Sequence, residues 1–346
     1  MSGFRDDPGG WRRLTSGAPL AVLLAAGLLI AYELLAELEL IAVAMLMALV
    51  LRSIARVPKM FGAPPWAAAM ITLGVVGAAG AVFWLVMLPN FLRQAQILVL
   101  AAPAYLDSLS ELSVRLHDRS RIVPDLSTNF GQLRNLLLPV LDSLPLLLTN
   151  LTYVTLQAIA MVVMALYMTF DPGSLLSGAL RLVPVDNRRD VKELLRNLEV
   201  RLRGWVLGTG IAMLVVGGLA GLGLWVLGAP LPLLFGVTAG LLEIVPYFGP
   251  VVGALLPTLV ALAISPVEAL LVAGLFLLIH LLDANLIQPQ VMGRQVHLHP
   301  VVVIIAFLFL GKLLGFAGLL LAVPAAAFLA TLADEMISRS PAYKER

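Results

Sequence analysis

Apolar runs recur along the whole chain at near-membrane length, and they constrain its fold more tightly than any motif. A hydrocarbon core of about 30 Å takes roughly 20 residues of helix, because each backbone N–H and C=O must find its partner within the segment. Residues 14–32, 38–51 (extended back through Leu34 and Leu35), 66–89, 150–170 and 204–227 each read as such a crossing, and 267–282 is a shorter apolar run. Two further stretches, 233–263 and 301–332, are too long for one straight crossing and are interrupted by Pro and Gly. Each is either one broken spanning helix with an overhang or a hairpin that enters and leaves on the same side. Composition agrees: 60% of residues are hydrophobic and 13% charged, against about 25% charged in soluble domains. The reading is an all-α polytopic integral membrane protein of about eight membrane segments, with lipid as its main solvent and a small helical extracytoplasmic module.

The scarce charges set an orientation, because cytoplasmic loops carry the excess of Lys and Arg. Arg5, Arg12 and Arg13 precede the first run, which lacks a small-x-small cleavage site and reads as a retained span rather than a signal peptide. Arg52, Arg56 and Lys59 follow the second run, seven basic residues lie between Arg181 and Arg203, and Arg339, Lys344 and Arg346 end the chain. Both termini are therefore expected in the cytoplasm. The expected organisation is an N-terminal arm with three membrane helices (1–89), an extracytoplasmic helical module (90–149) and a fourth membrane helix (150–170). A cytoplasmic amphipathic segment (171–203), a C-terminal membrane bundle (204–335) and a cytoplasmic tail (336–346) complete it. In the outer module Leu106, Leu109, Leu112 and Leu116 mark one helical face; in the inner segment Val191, Leu194, Leu195, Leu198 and Leu202 do so, with Glu199 and Arg203 spaced to pair. Glycines at 204, 208, 210, 217, 218, 221 and 223 would let another helix approach closely.

Several functions are excluded at this stage. A net charge of +2 from 23 basic and 21 acidic residues leaves no basic face for nucleic acid. Without cysteine there are no disulfides, thiolate nucleophiles or thiolate metal sites. HExxH, nucleophile-elbow and phosphate-loop patterns are missing, and His297 and His299 lack a third ligand, so neither an enzyme nor a metal or cofactor site is expected. His117 reads as a loop residue and His280 as a packing residue.

What remains are polar groups where hydrophobicity predicts none. An ionisable side chain at membrane depth costs about 2.5 to 3.5 kcal/mol on insertion scales and usually faces a cavity. Glu243 lies in such a run with Pro246, Gly249 and Pro250 close behind, where the prolines free backbone carbonyls. It is read either as a proton or cation carrier or as a cap on broken backbone. Asp283, Asn285, Gln288 and Pro289 end the run at 267–282, as a gate or as a helix cap. Lys312, with Gly315, Gly318 and Pro324 after it, either pairs with Glu243 or an anionic substrate or snorkels to an interface. The two long stretches share a weak pattern, Phe248-Gly249-Pro250 to Pro257 beside Phe316-Ala317-Gly318 to Pro324. Paired Pro/Gly-interrupted segments point to a transporter's midplane site.

At these residues the sequence resembles the autoinducer-2 exporter family of bacterial permeases. The resemblance rests on Glu243-x-x-Pro246-x-x-Gly249-Pro250, Asn285-x-x-x-Pro289, Met292-Gly293, Leu298-x-Pro300 and Gly311-x-x-x-Gly315-x-x-Gly318-x-x-x-Ala322-x-Pro324. Asp283 stands where the family often has Glu, and Thr209 where it often has Gln. The resemblance implies a multi-pass protein of the bacterial inner membrane, a homo-oligomer, and export of small solutes; the namesake substrate is a signalling furanone, and other members are described as sodium or lithium/proton antiporters. The leading expectation is secondary-active export of a small polar solute, such as an autoinducer-2-like molecule, through the Pro/Gly-broken segments. The alternatives are a cation/proton antiporter using Glu243 and a non-transporting scaffold that presents the outer module. Eight simple spans would place the 283–300 loop outside, whereas two hairpins would place it inside.

Overall fold

The computed structural model describes residues 34–119, 127–132, 135, 151–245, 249–287 and 300–338. The expected first span and its arginines, much of the expected outer module, Pro246, Gln288, Pro289, Met292, Gly293, His297, Leu298, His299 and the basic tail lie outside the described residues.

The chain is helical throughout its described length. In order the helices are α1 (Leu35–Met60), α2 (Pro65–Val82), α3 (Leu88–Arg119), α4 (Leu151–Phe170), α5 (Pro172–Arg181), α6 (Arg188–Val226), α7 (Pro232–Leu242), α8 (Gly249–Ile264), α9 (Pro266–Leu282) and α10 (Pro300–Ser338). A π-turn at Phe83–Met87 joins α2 to α3, and another, Asp283–Ile287, follows α9. Among the described residues four segments are long and apolar enough to cross a membrane: Glu37–Met60, Pro65–Arg119, Val185–Val226 and Pro266–Leu286. The pair Val154–Phe170 and Pro172–Gly178, bent by 88°, supplies a fifth candidate.

The apolar runs mark these elements well, but their ends differ from the sequence expectation. The run at 66–89 does not stop at Asn90: the helix passes the π-turn and continues to Arg119. The leucine face expected in the outer module belongs to this continuation, where Leu106, Leu109 and Ser113 are buried and Leu116 is exposed. Phe91, Ala95, Leu98 and Tyr105 on the same helix pack against the C-terminal bundle. The amphipathic segment at 188–203 and the span at 204–227 form one helix, α6, because no residue between them breaks helical geometry.

Both long interrupted stretches turn back on themselves. α7 and α8 are 11 and 16 residues long, about 16 and 24 Å at 1.5 Å per residue, each short of a full crossing. A Cβ on Gly253 would lie 3.2 Å from the Cα of Ala239, and a Cβ on Gly249 would overlap the Leu242 carbonyl. The two helices are thus antiparallel. Pro250 sits in the first turn of α8, where its missing N–H has no intrahelical acceptor, so it starts a helix instead of breaking one. α10 repeats the design as Val301–Gly315 and Ala317–Ala333. Gly315 adopts φ 62°, ψ −135°, a region that L side chains avoid, and a Cβ on Gly318 would overlap the Leu310 carbonyl. Gly249 and Gly318 therefore hold corresponding places, each opening the return helix against a carbonyl of the outgoing one. The weak likeness between the two stretches is a likeness of hairpins.

Among the described residues two apolar cores pack around α6, and a third, smaller one joins Ala48 and Leu51 of α1 to Ala165 of α4. The first joins Val216, Ala220 and Leu224 of α6 to Phe235 and Ala239 of α7, Val260 of α8, and Val272, Phe276 and Ile279 of α9. The second joins Leu46 and Leu49 of α1 to Leu198, Leu202 and Trp205 of α6 and to Phe307, Ala322 and Val323 of α10. α6 runs through both. Its contact with α7 is a small-residue seam: a Cβ on Gly236 would come 2.7 Å from the Gly221 Cα, and one on Gly240 would come 2.6 Å from the Met213 carbonyl. In lipid, dispersion from such close packing replaces the hydrophobic effect as the main attraction between helices.

Candidate functional site

The seam fixes the register of α6 and α7 as antiparallel. Gly221 faces Pro232 and Gly236, Gly217 faces Gly236 and Gly240, and Met213 faces Gly240. One further turn brings Thr209 on α6 level with Glu243, which follows α7. α8 returns along α7, and the single residue Ser265 turns the chain into α9, so α9 runs in the same direction as α7. Val216, Ala239 and Ile279 share the first core. Glu243 lies one helical turn beyond Ala239, and Asp283 one turn beyond Ile279, towards the Arg-rich end of α6. Val245 and Val206 pack on the second core. Thr209, Glu243 and Asp283 are therefore buried polar groups that lie beyond the first apolar core, towards the Arg-rich end of α6.

All three are enclosed: Thr209 is 3% exposed, Glu243 3% and Asp283 1%. Glu243 is held where α7 unwinds. Its N–H donates to the Gly240 carbonyl at 3.2 Å, and those of Ile244 and Val245 donate to Leu241 and Leu242 at 3.3 and 3.0 Å. These tightened bonds satisfy the last carbonyls of α7 and leave the carboxylate for the interior. Asp283 opens the π-turn after α9, a local widening that is frequent at functional sites. Asn285 is exposed, and its Nδ2 donates to the Leu281 carbonyl at 2.8 Å.

Thr209 carries a signal that the sequence reading did not weigh. Thr72, Thr169, Thr238, Thr258 and Thr331 each donate Oγ1 to the carbonyl four residues earlier. Thr209 Oγ1 is buried and has no hydrogen-bond partner among the described residues. A buried hydroxyl without a partner is uncommon because its desolvation goes uncompensated.

The other expected site residues divide. Gly249, Gly315 and Gly318 build the hairpin tips, and Pro324 is buried beside Val323 in the return arm of α10. Lys312 is exposed and forms no ion pair among the described residues, so the structure does not bring it to Glu243.

Beside the seam lies a cavity of about 830 Å³. Phe83 and Met87 of the first π-turn wall one side, Gly217 and Gly221 the other, and it extends from Trp225 at one end to Met213, Gly240 and Leu241 at the other. The latter end is one turn from Thr209 and Glu243. Gln94 brings an amide to the wall, where its Oε1 accepts the Leu234 N–H at 2.9 Å. The cavity was not legible in the sequence, because its walls come from helices far apart in the chain.

Residues 19–338 match the model of the AI-2E family transporter. The chain is 36% identical over 148 residues to "Putative transport protein YrrI" of Bacillus subtilis (43% of this chain, 42% of that one). It is 37% identical over 124 residues to "AI-2 transport protein TqsA" of Escherichia coli (34% and 35%). A similar transport protein of Synechocystis, sll0060, is 24% identical over 281 residues (79% and 80%). The alignments to YrrI and TqsA thus span less than half the length of those relatives.

Proposed function

The chain belongs to the AI-2E transporter family, and from that premise we propose that it is a secondary-active exporter of a small polar solute, an autoinducer-2-like molecule or a related metabolite. The observation that carries this reading is the burial of three polar side chains within the bundle, Glu243 at the tip of the α7–α8 hairpin, Thr209 on α6 and Asp283 at the end of α9. Polar side chains at membrane depth are costly, and they gather where a solute or ion passes. The adjoining cavity of about 830 Å³ has the capacity of a small-molecule site, with Gln94 as a fixed polar contact in an apolar wall.

The two hairpins supply the moving parts. With the Arg-rich end of α6 in the cytoplasm, the α7–α8 hairpin enters from outside and its tip reaches the level of Thr209. That level is six residues from Arg203, about 9 Å along the helix. The α10 hairpin packs against the Arg-rich half of α6 and α1 and enters from the cytoplasmic side. Alternating access is then a rocking of the hairpins about these buried polar groups. Pro246, Gln288 and Pro289 complete the proposed pathway from outside the described residues.

The buried carboxylates of Glu243 and Asp283 favour a second reading, exchange of sodium or lithium for protons. Flux of an autoinducer-2-like furanone and of sodium, measured on the same reconstituted vesicles, separates the two. Glu243→Gln is expected to lower furanone flux at least tenfold under the first reading. Loss of pH-dependent sodium flux with furanone flux absent throughout would establish the second. Unchanged flux of both would overturn the role given to Glu243.

A further inference from the structure

We propose that α5 and the Arg-rich half of α6 form a binding surface for the headgroups of anionic phospholipids. α4 is the span, and the chain leaves it at 88° into α5. With α4 crossing the bilayer, α5 lies along the membrane surface. Leu175 on this segment is exposed, and in the turn that follows Leu182 is 89% and Val185 73% exposed. At the boundary of headgroups and acyl chains, apolar side chains of this kind have a solvent that suits them.

The cations stand beside them. Arg188 donates Nε to the Val183 carbonyl at 3.1 Å, which closes the turn and starts α6 at the same level. Arg189, Lys192 and Arg196 then recur at i, i+3 and i+7 on one exposed face of the helix. Further along the same stripe of α6 two charged residues are already committed, Glu199 to Arg52 and Arg203 to Ser53. The three exposed cations have no ion pair among the described residues. Cations at the level of exposed leucine and valine, fixed to the end of a spanning helix, match a lipid that presents a phosphate above its acyl chains. An acidic peptide would satisfy the cations but offer nothing to Leu182 and Val185 in the bilayer. Near an anionic surface each Lys or Arg contributes about fivefold in affinity.

This surface is independent of the transported solute, and two measurements test it. Hydrogen exchange of the full chain in nanodiscs of phosphatidylcholine, with and without a third of phosphatidylglycerol, is expected to show added protection across residues 172–200 only in the anionic discs. Retention of fluorescent phosphatidylglycerol is expected to fall at least tenfold in the R189Q/K192Q/R196Q variant, with thermal stability in neutral discs unchanged. Equal protection in both discs, or wild-type retention by the folded variant, would overturn the proposal. So would stronger protection by a polyglutamate peptide in neutral discs than by phosphatidylglycerol, which would assign the face to a protein. If the triple variant does not fold, the exchange comparison on the wild type decides alone.

Discussion

Arg52 on α1 donates to Glu199 on α6 across 147 positions of sequence, and its other terminal nitrogen donates to the Met168 carbonyl at 3.1 Å. One guanidinium thus ties three helices together. Arg203, spaced to pair with Glu199 along α6, instead donates to Ser53 Oγ at 2.9 Å. With the Arg52 and Glu199 side chains 24% and 37% exposed, solvent screens the pair in part. Arg52→Ala is expected to destabilise the protein by ~1 to 2 kcal/mol, read as a lower Tm in detergent. The exchange R52E/E199R should recover only part of the loss, since a carboxylate at position 52 cannot donate to the Met168 carbonyl. Full recovery would show that the Met168 contact contributes nothing.

Thr209 should give opposite signs for stability and transport. Thr209→Val keeps the shape and removes a buried hydroxyl that has no partner among the described residues, so stability should rise by about 1 kcal/mol. Flux should fall in the same variant and persist in Thr209→Ser. A valine variant that transports like the wild type would remove the hydroxyl from the pathway.

The hairpin tips should be intolerant of a single methyl group. Gly249→Ala and Gly318→Ala each drive a Cβ into a backbone carbonyl, whereas Gly274→Ala on α9 meets nothing within 4 Å. The first two are expected to cost about 1 to 3 kcal/mol and the third to be neutral or better, as judged by thermal unfolding. Gly315→Ala belongs with the costly pair for another reason, its positive φ. Equal tolerance at 249 and 274 would mean that the α7–α8 turn is wider than described.

Sidedness separates hairpins from simple spans. The native chain has no cysteine, so single substitutions report cleanly. Asn187→Cys and Ala284→Cys, both at exposed positions, should react with an impermeant reagent from the same face. Val267→Cys should react from the opposite one. Labelling of positions 187 and 284 from opposite faces would rule out the α7–α8 hairpin.

How much was legible depended on how local the cause was. The run at 150–170 became α4, Leu151–Phe170, nearly residue for residue, because it is apolar throughout and Asp171-Pro172 ends it. The run at 66–89 was cut too early. Asn90 and Arg93 look like loop residues, yet neither stops a helix, and Pro103 is accommodated within α3. Glu243 and Asp283 stood out as charges among apolar neighbours. Thr209 did not, since a threonine in a span ordinarily bonds its own backbone and only the finished fold reveals one that does not.

The sequence by itself determined that this chain lives in lipid, that it is helical, and where its costly charges and helix-breaking glycines fall. Those outcomes follow from the backbone's need for internal hydrogen bonds and from the free energy of placing each side chain in hydrocarbon, and both act within a few turns. Tertiary structure alone decided that the two long stretches fold back, that Arg52 and not Arg203 meets Glu199, and that Thr209, Glu243 and Asp283 are all buried in the bundle. These depend on contacts between surfaces far apart in the chain, such as the glycine seam between α6 and α7, where close packing selects one alignment that no local preference encodes.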